Sequence, residues 1–96
     1  MKLSKSDIVL SLSGRDKGKY FFVVDTAGEY VMIADGRYRK LEQPKRKKLK
    51  HLQFVCKGGS GVAAKICSGD KVLNSELRRE LAVIRQEIQS HNQGGL

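Results

Sequence analysis

Residues 7–25 read DIVLSLSGRDKGKYFFVVD, and this stretch decides the fold because it joins two strand patterns through a glycine-rich turn. Apolar side chains alternate through 8–12, which predicts a strand with two distinct faces. Residues 19–25 are aromatic and β-branched, which predicts a second strand that is covered on both faces. Gly14 and Gly18 lie between the two strands and predict a sharp turn.

Further strand patterns follow at short intervals. YVMIA at 30–34 predicts a third strand, and Asp35–Gly36 predicts a hairpin turn into a returning strand at 37–41. LQFVC at 52–56 predicts the last strand. Short, closely spaced strands with small turns indicate a mainly β fold, a small partly open barrel of four to five strands over residues 1–57.

The hydrophobic periodicity changes in the C-terminal part of the chain. Apolar residues recur there at spacings of three and four, which predicts an amphipathic helix over 73–91 after a connecting segment at 58–72. Asn74 or Ser75 is expected to cap the helix, and residues 92–96 are expected to fray. The predicted class is therefore β+α. The apolar stripe of the helix consists of Leu77, Leu81, Ile84 and Ile88.

The positive charge of the chain is concentrated in one segment. The chain has 96 residues, which fits one domain, and its net charge is +9. Residues 1–36 are balanced, whereas 37–57 carry nine Lys/Arg and one acid, a net charge of +8. This concentration predicts a polyanionic partner, with nucleic acid as the first candidate and an anionic membrane surface as the second. We favour binding over the alternative that the segment is only a solvated face.

The basic segment at 37–50 supplies the main candidate contacts. A run of cations releases the counterions that condense on phosphates, and this release favours binding. Leu41 and Leu49 within the segment, and Leu52 just after it, interrupt the charges and are expected to anchor the segment to the barrel. Tyr38 either stacks on a base or lies in the core. The predicted RNA contacts here are Arg37, Arg39, Lys40, Lys45, Arg46, Lys47, Lys48, Lys50 and His51.

The GRDKGK turn at 14–19 is a second candidate contact. A nucleotide-binding P-loop has four residues between its two glycines. The second glycine is followed by Lys, then by Ser or Thr, and then by a helix. Here three residues separate the two glycines and a strand follows, which excludes a P-loop. The turn can instead present backbone N–H groups to a phosphate, and Arg15, Lys17 and Lys19 can add side-chain contacts.

Other functional classes have little support in the sequence. Cys56 and Cys67 are far apart and no histidine pair has ligand spacing, so we expect no metal site and no cofactor. No carboxylate pair or activated nucleophile stands out, so we expect no enzymatic activity. The sequence has no apolar run of membrane-spanning length and no signal-peptide pattern at its start, and it has few cysteines, so we expect a cytoplasmic protein.

Residues 7–25 resemble a KOW motif, in which Gly18 matches the fixed glycine and Lys17 the basic residue before it. The likeness continues through YVMIADGRYRKLEQPKRKKLKHLQ and covers residues 7–53. This longer stretch is similar to the archaeal and eukaryotic large-subunit ribosomal protein family fourteen and its small bacterial KOW-domain relatives. Phe21 stands where many KOW motifs have a second glycine, which favours the ribosomal-protein-like branch. The resemblance implies an SH3-like barrel and ribosomal RNA binding.

Two functions follow as hypotheses. The first is a non-enzymatic RNA-binding protein that binds ribosomal RNA or associates with the large ribosomal subunit through the basic segment. The second is a KOW-type protein-interaction module acting in transcription or translation through its barrel or C-terminal helix. The helix stripe is open to two interpretations, because it either docks a partner or covers one side of the barrel.

Overall fold

The computed structural model describes residues 2–59 and 61–94 as a five-stranded antiparallel sheet with two helices. The strand order is β4-β3-β2-β1-β5, so β4 and β5 form the edges and the sheet is not closed. This arrangement confirms the predicted β+α class and is consistent with the partly open barrel. The strands are β1 (Asp7–Ser11), β2 (Tyr20–Ala27), β3 (Tyr30–Ala34), β4 (Lys45–Lys48) and β5 (Leu52–Lys57), and the helices are α1 (Gly61–Ser68) and α2 (Asn74–Gly94).

The sheet is buried on both faces where β1 pairs with the first half of β2, as predicted for the second strand. Phe21 pairs with Val9 and lies in a cluster built almost entirely from strand residues. Phe22 pairs with Ile8 and lies on the opposite face, against the helices. Because neighbouring positions on a strand point to opposite faces, one register places an aromatic ring in each cluster.

Helix α2 covers the second face of the sheet. Leu77 and Leu81 are fully buried in the cluster that contains Phe22, and Ile84 packs against the same cluster. Most of the predicted stripe therefore lies in the core. α2 extends beyond the predicted end at 91, to Gly94, and the last two residues of the predicted frayed tail lie outside the described residues.

The returning strand predicted at 37–41 is wrong, because a tight loop takes its place. The Asp35 Oδ1 accepts the backbone N–H groups of Arg37 and Arg39, at 2.9 and 2.8 Å. The N–H groups of Asp35 and Gly36 both donate to the Arg39 carbonyl. These bonds close the loop on itself. The strand that pairs with β3 on the side opposite β2 is β4, which lies within the lysine run.

The structure differs from the sequence-based expectations at two further places. Part of the connecting segment at 58–72 is helix α1, which the sequence did not predict. The predicted cap at Asn74 is wrong, because its side chain accepts the Leu41 N–H and donates to Glu42. No side-chain hydrogen bond of Ser75 occurs in the described part of the chain. Glu76 instead accepts the Leu73 N–H, the reciprocal half of a capping box.

Within 2–59 and 61–94, neither helix combines the length and the apolar character that crossing a bilayer requires.

Candidate nucleic-acid interface

The GRDKGK turn and the basic segment lie side by side, although they are separated in sequence. The Lys47 Nζ donates to the Ser13 carbonyl at 2.7 Å. The Arg39 guanidinium bonds the Asp16 carboxylate through Nη2 at 3.1 Å. Lys19 lies over the Tyr38 ring, with its Nζ 3.8 Å from the centroid. These contacts join the two predicted segments into one surface.

The predicted turn forms, and three of its N–H groups are used within the chain. Residues 14–16 make one 3₁₀ turn, which confirms the predicted sharp turn, and Gly14 and Gly18 both have positive φ angles. The N–H groups of Lys17, Gly18 and Lys19 donate to carbonyls at 14, 11 and 16 respectively. These three N–H groups are therefore not directed at a ligand, and Arg15 and Lys17 are both exposed.

Two of the predicted contact residues have structural roles. Lys47 is 8% exposed on the inward face of β4, and its ammonium satisfies a loop carbonyl. Arg39 holds the buried carboxylate of Asp16, which fixes the 35–39 loop against the turn. Neither side chain is a freely available cation. Lys47 is held by the Ser13 carbonyl and Arg39 by the Asp16 carboxylate, and without these cations the two oxygens would lose a hydrogen-bond donor.

Five cations of the segment, Arg39 among them, line a groove of about 640 Å³, which we call the basic groove. Glu42 is its only acid among the described lining residues, and the Glu42 carboxylate accepts from Asn74. The bond between Asn74 and the Leu41 N–H fixes the loop below it. The cations that line the basic groove are Arg37, Arg39, Lys40, Lys45 and Arg46.

Strand β4 presents two cations beside an aromatic ring, of which Arg46 also lines the basic groove and Lys48 does not. The Arg46 Cζ lies 4.5 Å and the Lys48 Nζ 5.8 Å from the centroid of the Tyr30 ring on the neighbouring strand. Because side chains alternate along β4, both point away from Lys47 and toward solvent. Lys50 is also exposed, whereas His51 is half-buried and its carbonyl accepts the Leu12 N–H.

The second concavity, which we call the Tyr38 cleft, combines cations from three parts of the chain. Its volume is about 300 Å³, and it lies between the 14–19 turn, the 35–39 loop and α2. The Tyr38 side chain is 57% exposed, so the prediction that it could lie in the core is wrong. The cleft is lined by Lys19, Arg37, Tyr38, Arg78, Leu81 and Arg85, together with Gly18 and Asp35.

Arg78 and Arg85 were not predicted from the sequence as part of the site. They are seven residues apart on α2, about two helical turns, so their side chains lie on one face of the helix. The Arg78 Nη1 donates to the Gly36 carbonyl at 2.6 Å, which orients this guanidinium at the cleft. The spacing was visible in the sequence, but the packing that brings α2 beside Tyr38 was not.

Cysteine and carboxylate chemistry is sparse. Burial, followed by the nearby carboxylates of Glu87, Glu80 and Asp7, raises the pKa of the Cys56 thiol. Among residues 2–59 and 61–94, no three His, Cys, Asp or Glu side chains come together as a metal site.

No protein-family model matches the chain, and no curated protein is significantly similar to it.

Proposed function

We propose that this protein binds RNA, without catalysing a reaction, through the basic groove and the exposed cations of β4. The observation that carries the proposal is the groove itself: five cations line it and one acid faces them. Four of the five are free of ion pairs among the described residues, so their charge is available to phosphates. A surface of this kind gains affinity from the release of condensed counterions.

We further propose ribosomal RNA as the target, with the large ribosomal subunit as its setting. This step rests on the resemblance of residues 7–53 to the KOW motif and to ribosomal protein family fourteen. The groove is lined mainly by charged and polar side chains, so it suits an RNA backbone better than a small metabolite, whose sites are mostly apolar.

Binding to a structured RNA across a salt series tests the general proposal. With three to five phosphate contacts, log affinity should fall against log salt with a slope of roughly −2 to −4. Co-sedimentation with ribosomal subunits over the same salt range tests the specific target. A salt-independent interaction, or no binding to any RNA, would contradict the proposal.

The alternative of a protein-interaction module has less support. This alternative required the apolar stripe of the helix to exceed the surface that the core can cover. Leu77 and Leu81, however, fill the cluster beneath α2. A partner would have to use other residues of the helix or of the barrel.

A further inference from the structure

The Tyr38 cleft shares Arg37 and Tyr38 with the basic groove and adds two arginines from α2. Tyr38 is 57% exposed, although the Lys19 Nζ and the Arg37 Cζ lie 3.8 and 5.4 Å from its ring centroid, and a nucleobase can stack on the ring in place of one of these cations. Arg78 and Arg85 lie on one helix face at the same cleft and can hold a phosphate. At about 300 Å³ the cleft is near the lower end of the range for small-molecule sites, which suits one nucleotide.

The charges around the cleft are arranged to receive an anion. Asp35 is the one acid among the described residues that line the cleft, and the Asp35 Oδ1 already accepts the N–H groups of Arg37 and Arg39. Arg78 uses Nη1 for the Gly36 carbonyl, which leaves further guanidinium N–H groups for a ligand. Within the described residues, no ion pair engages Lys19, Arg78 or Arg85.

We propose that the Tyr38 cleft takes one unpaired nucleotide of the bound RNA, with its base stacked on Tyr38 and its phosphate held by Arg78 and Arg85. This inference rests on the proposed function and specifies which part of the RNA enters which site. A base within a duplex is covered by its neighbours, so only an unpaired base can reach the ring. Lys19, above the ring, is placed to contact the same phosphate or the next one.

The test compares two RNA hairpins that differ only in one bulged 2-aminopurine nucleotide. Affinity is measured for both hairpins, and the fluorescence of the bulged base reports stacking. Three forms of the chain are tested: the unsubstituted 96-residue chain, Tyr38→Leu, and Tyr38→Phe, which keeps the ring. Arg85→Gln is compared with Arg79→Gln, since Arg79 is an exposed arginine of the same helix that does not line the cleft.

The bulged hairpin should bind at least about five-fold more tightly than the fully paired one, with quenched fluorescence. Tyr38→Leu should abolish both the preference and the quenching, whereas Tyr38→Phe should keep them. Arg85→Gln should reduce the preference several-fold, and Arg79→Gln should not. Competition by free adenosine monophosphate at equal affinity would mean that the cleft binds a free nucleotide rather than a strand, and would overturn the proposal.

The failures of the two proposals are distinguishable. If both hairpins bind equally, with a steep salt dependence that Tyr38→Leu leaves unchanged, RNA binding stands and the nucleotide cleft is refuted. If neither hairpin nor any structured RNA binds, the proposed function fails first.

Discussion

Lys47 and Lys48 are neighbours on β4 with opposite environments. Lys47 is buried and donates to the Ser13 carbonyl, whereas Lys48 is exposed beside Tyr30. We expect Lys47→Met to lower the free energy of unfolding by about 1–3 kcal/mol, because a carbonyl loses its charged donor. Lys48→Gln should leave stability within about 0.5 kcal/mol and reduce the salt slope of RNA binding by about one.

Urea denaturation and a salt titration of both variants separate the two roles. A Lys47→Met protein with unchanged stability but a reduced salt slope would show that Lys47 is a phosphate contact after all.

Gly36 and Gly18 share a positive φ but differ in what surrounds them. A Cβ at Gly36 would run into the Asn74 backbone at the start of α2, whereas a Cβ at Gly18 would meet nothing within 4 Å. Gly18→Ala should therefore cost only the left-handed backbone strain, about 1 kcal/mol. Gly36→Ala should cost at least about 2 kcal/mol, because α2 must also shift. Chemical denaturation of the two variants measures the difference, and equal costs would contradict the close approach of the loop to α2.

Helix α2 is the element on which the second core cluster depends. Leu81→Ala should lower the free energy of unfolding by about 2–5 kcal/mol, because Leu81 is fully buried between the helix and the sheet. Val83→Ala, at an exposed position of the same helix, should change it by less than about 0.5 kcal/mol. Thermal and chemical denaturation check both values. Similar, small costs would mean that α2 is not part of the core.

The start of α2 should make stability depend on acid pH. The hydrogen bond from Lys65, and then the Leu73 N–H, lower the pKa of Glu76 from its usual 4.5. A depressed carboxyl pKa stabilises the fold above the usual value, and this stability is lost as pH falls through the lower, folded-state pKa. Below pH 4.5 the wild-type midpoint in urea should therefore fall more steeply with pH than that of Glu76→Gln. Lys65→Met should flatten the wild-type dependence in the same direction, and parallel curves for all three proteins would contradict this linkage.

The individual elements were predicted with unequal success, for local reasons. Strands β1, β2, β3 and β5 follow from alternation and β-branched residues, since those patterns suffice for a buried sheet. β4 reads KRKK and carries no apolar pattern, because the inward position is taken by the buried stem of Lys47 and its carbonyl partner. α1 follows a glycine run that resembles a linker, and its buried Ala63 and Ile66 are too few to show a helical period.

At the scale of the whole molecule, the candidate site was only partly predictable. The sequence located the excess charge, but it could not show that Arg39 and Lys47 are engaged within the fold. Arg78 and Arg85 were missed because they reach the cleft only through the packing of α2 against the sheet. Contacts between distant segments depend on register and helix placement, which local patterns do not determine.

The position of the positive charge should matter more than its total. The molecule extends 39 Å along its longest axis, whereas charges are screened over about 8 Å at physiological salt and about 30 Å at 0.01 M. Two triple variants lower the net charge from +9 to +6. One replaces three cations of the basic groove with glutamine, and the other replaces three exposed cations that line neither the groove nor the Tyr38 cleft. The groove variant changes Lys40, Lys45 and Arg46, and the control changes Lys2, Lys71 and Arg79.

At physiological salt the groove variant should bind structured RNA at least about ten-fold more weakly than wild type, with a salt slope smaller by about two to three. The control variant should lose no more than about three-fold, because its three side chains line neither the groove nor the Tyr38 cleft and exposed charges are largely screened beyond about 8 Å at this salt concentration. At 0.01 M salt the two variants should converge, since the whole molecule then lies close to one screening length. Affinity measured by fluorescence anisotropy at both salt concentrations distinguishes a located interface from general basicity. Equal losses in the two variants at physiological salt would mean that the +9 charge acts as a whole and that the basic groove is not the contact surface.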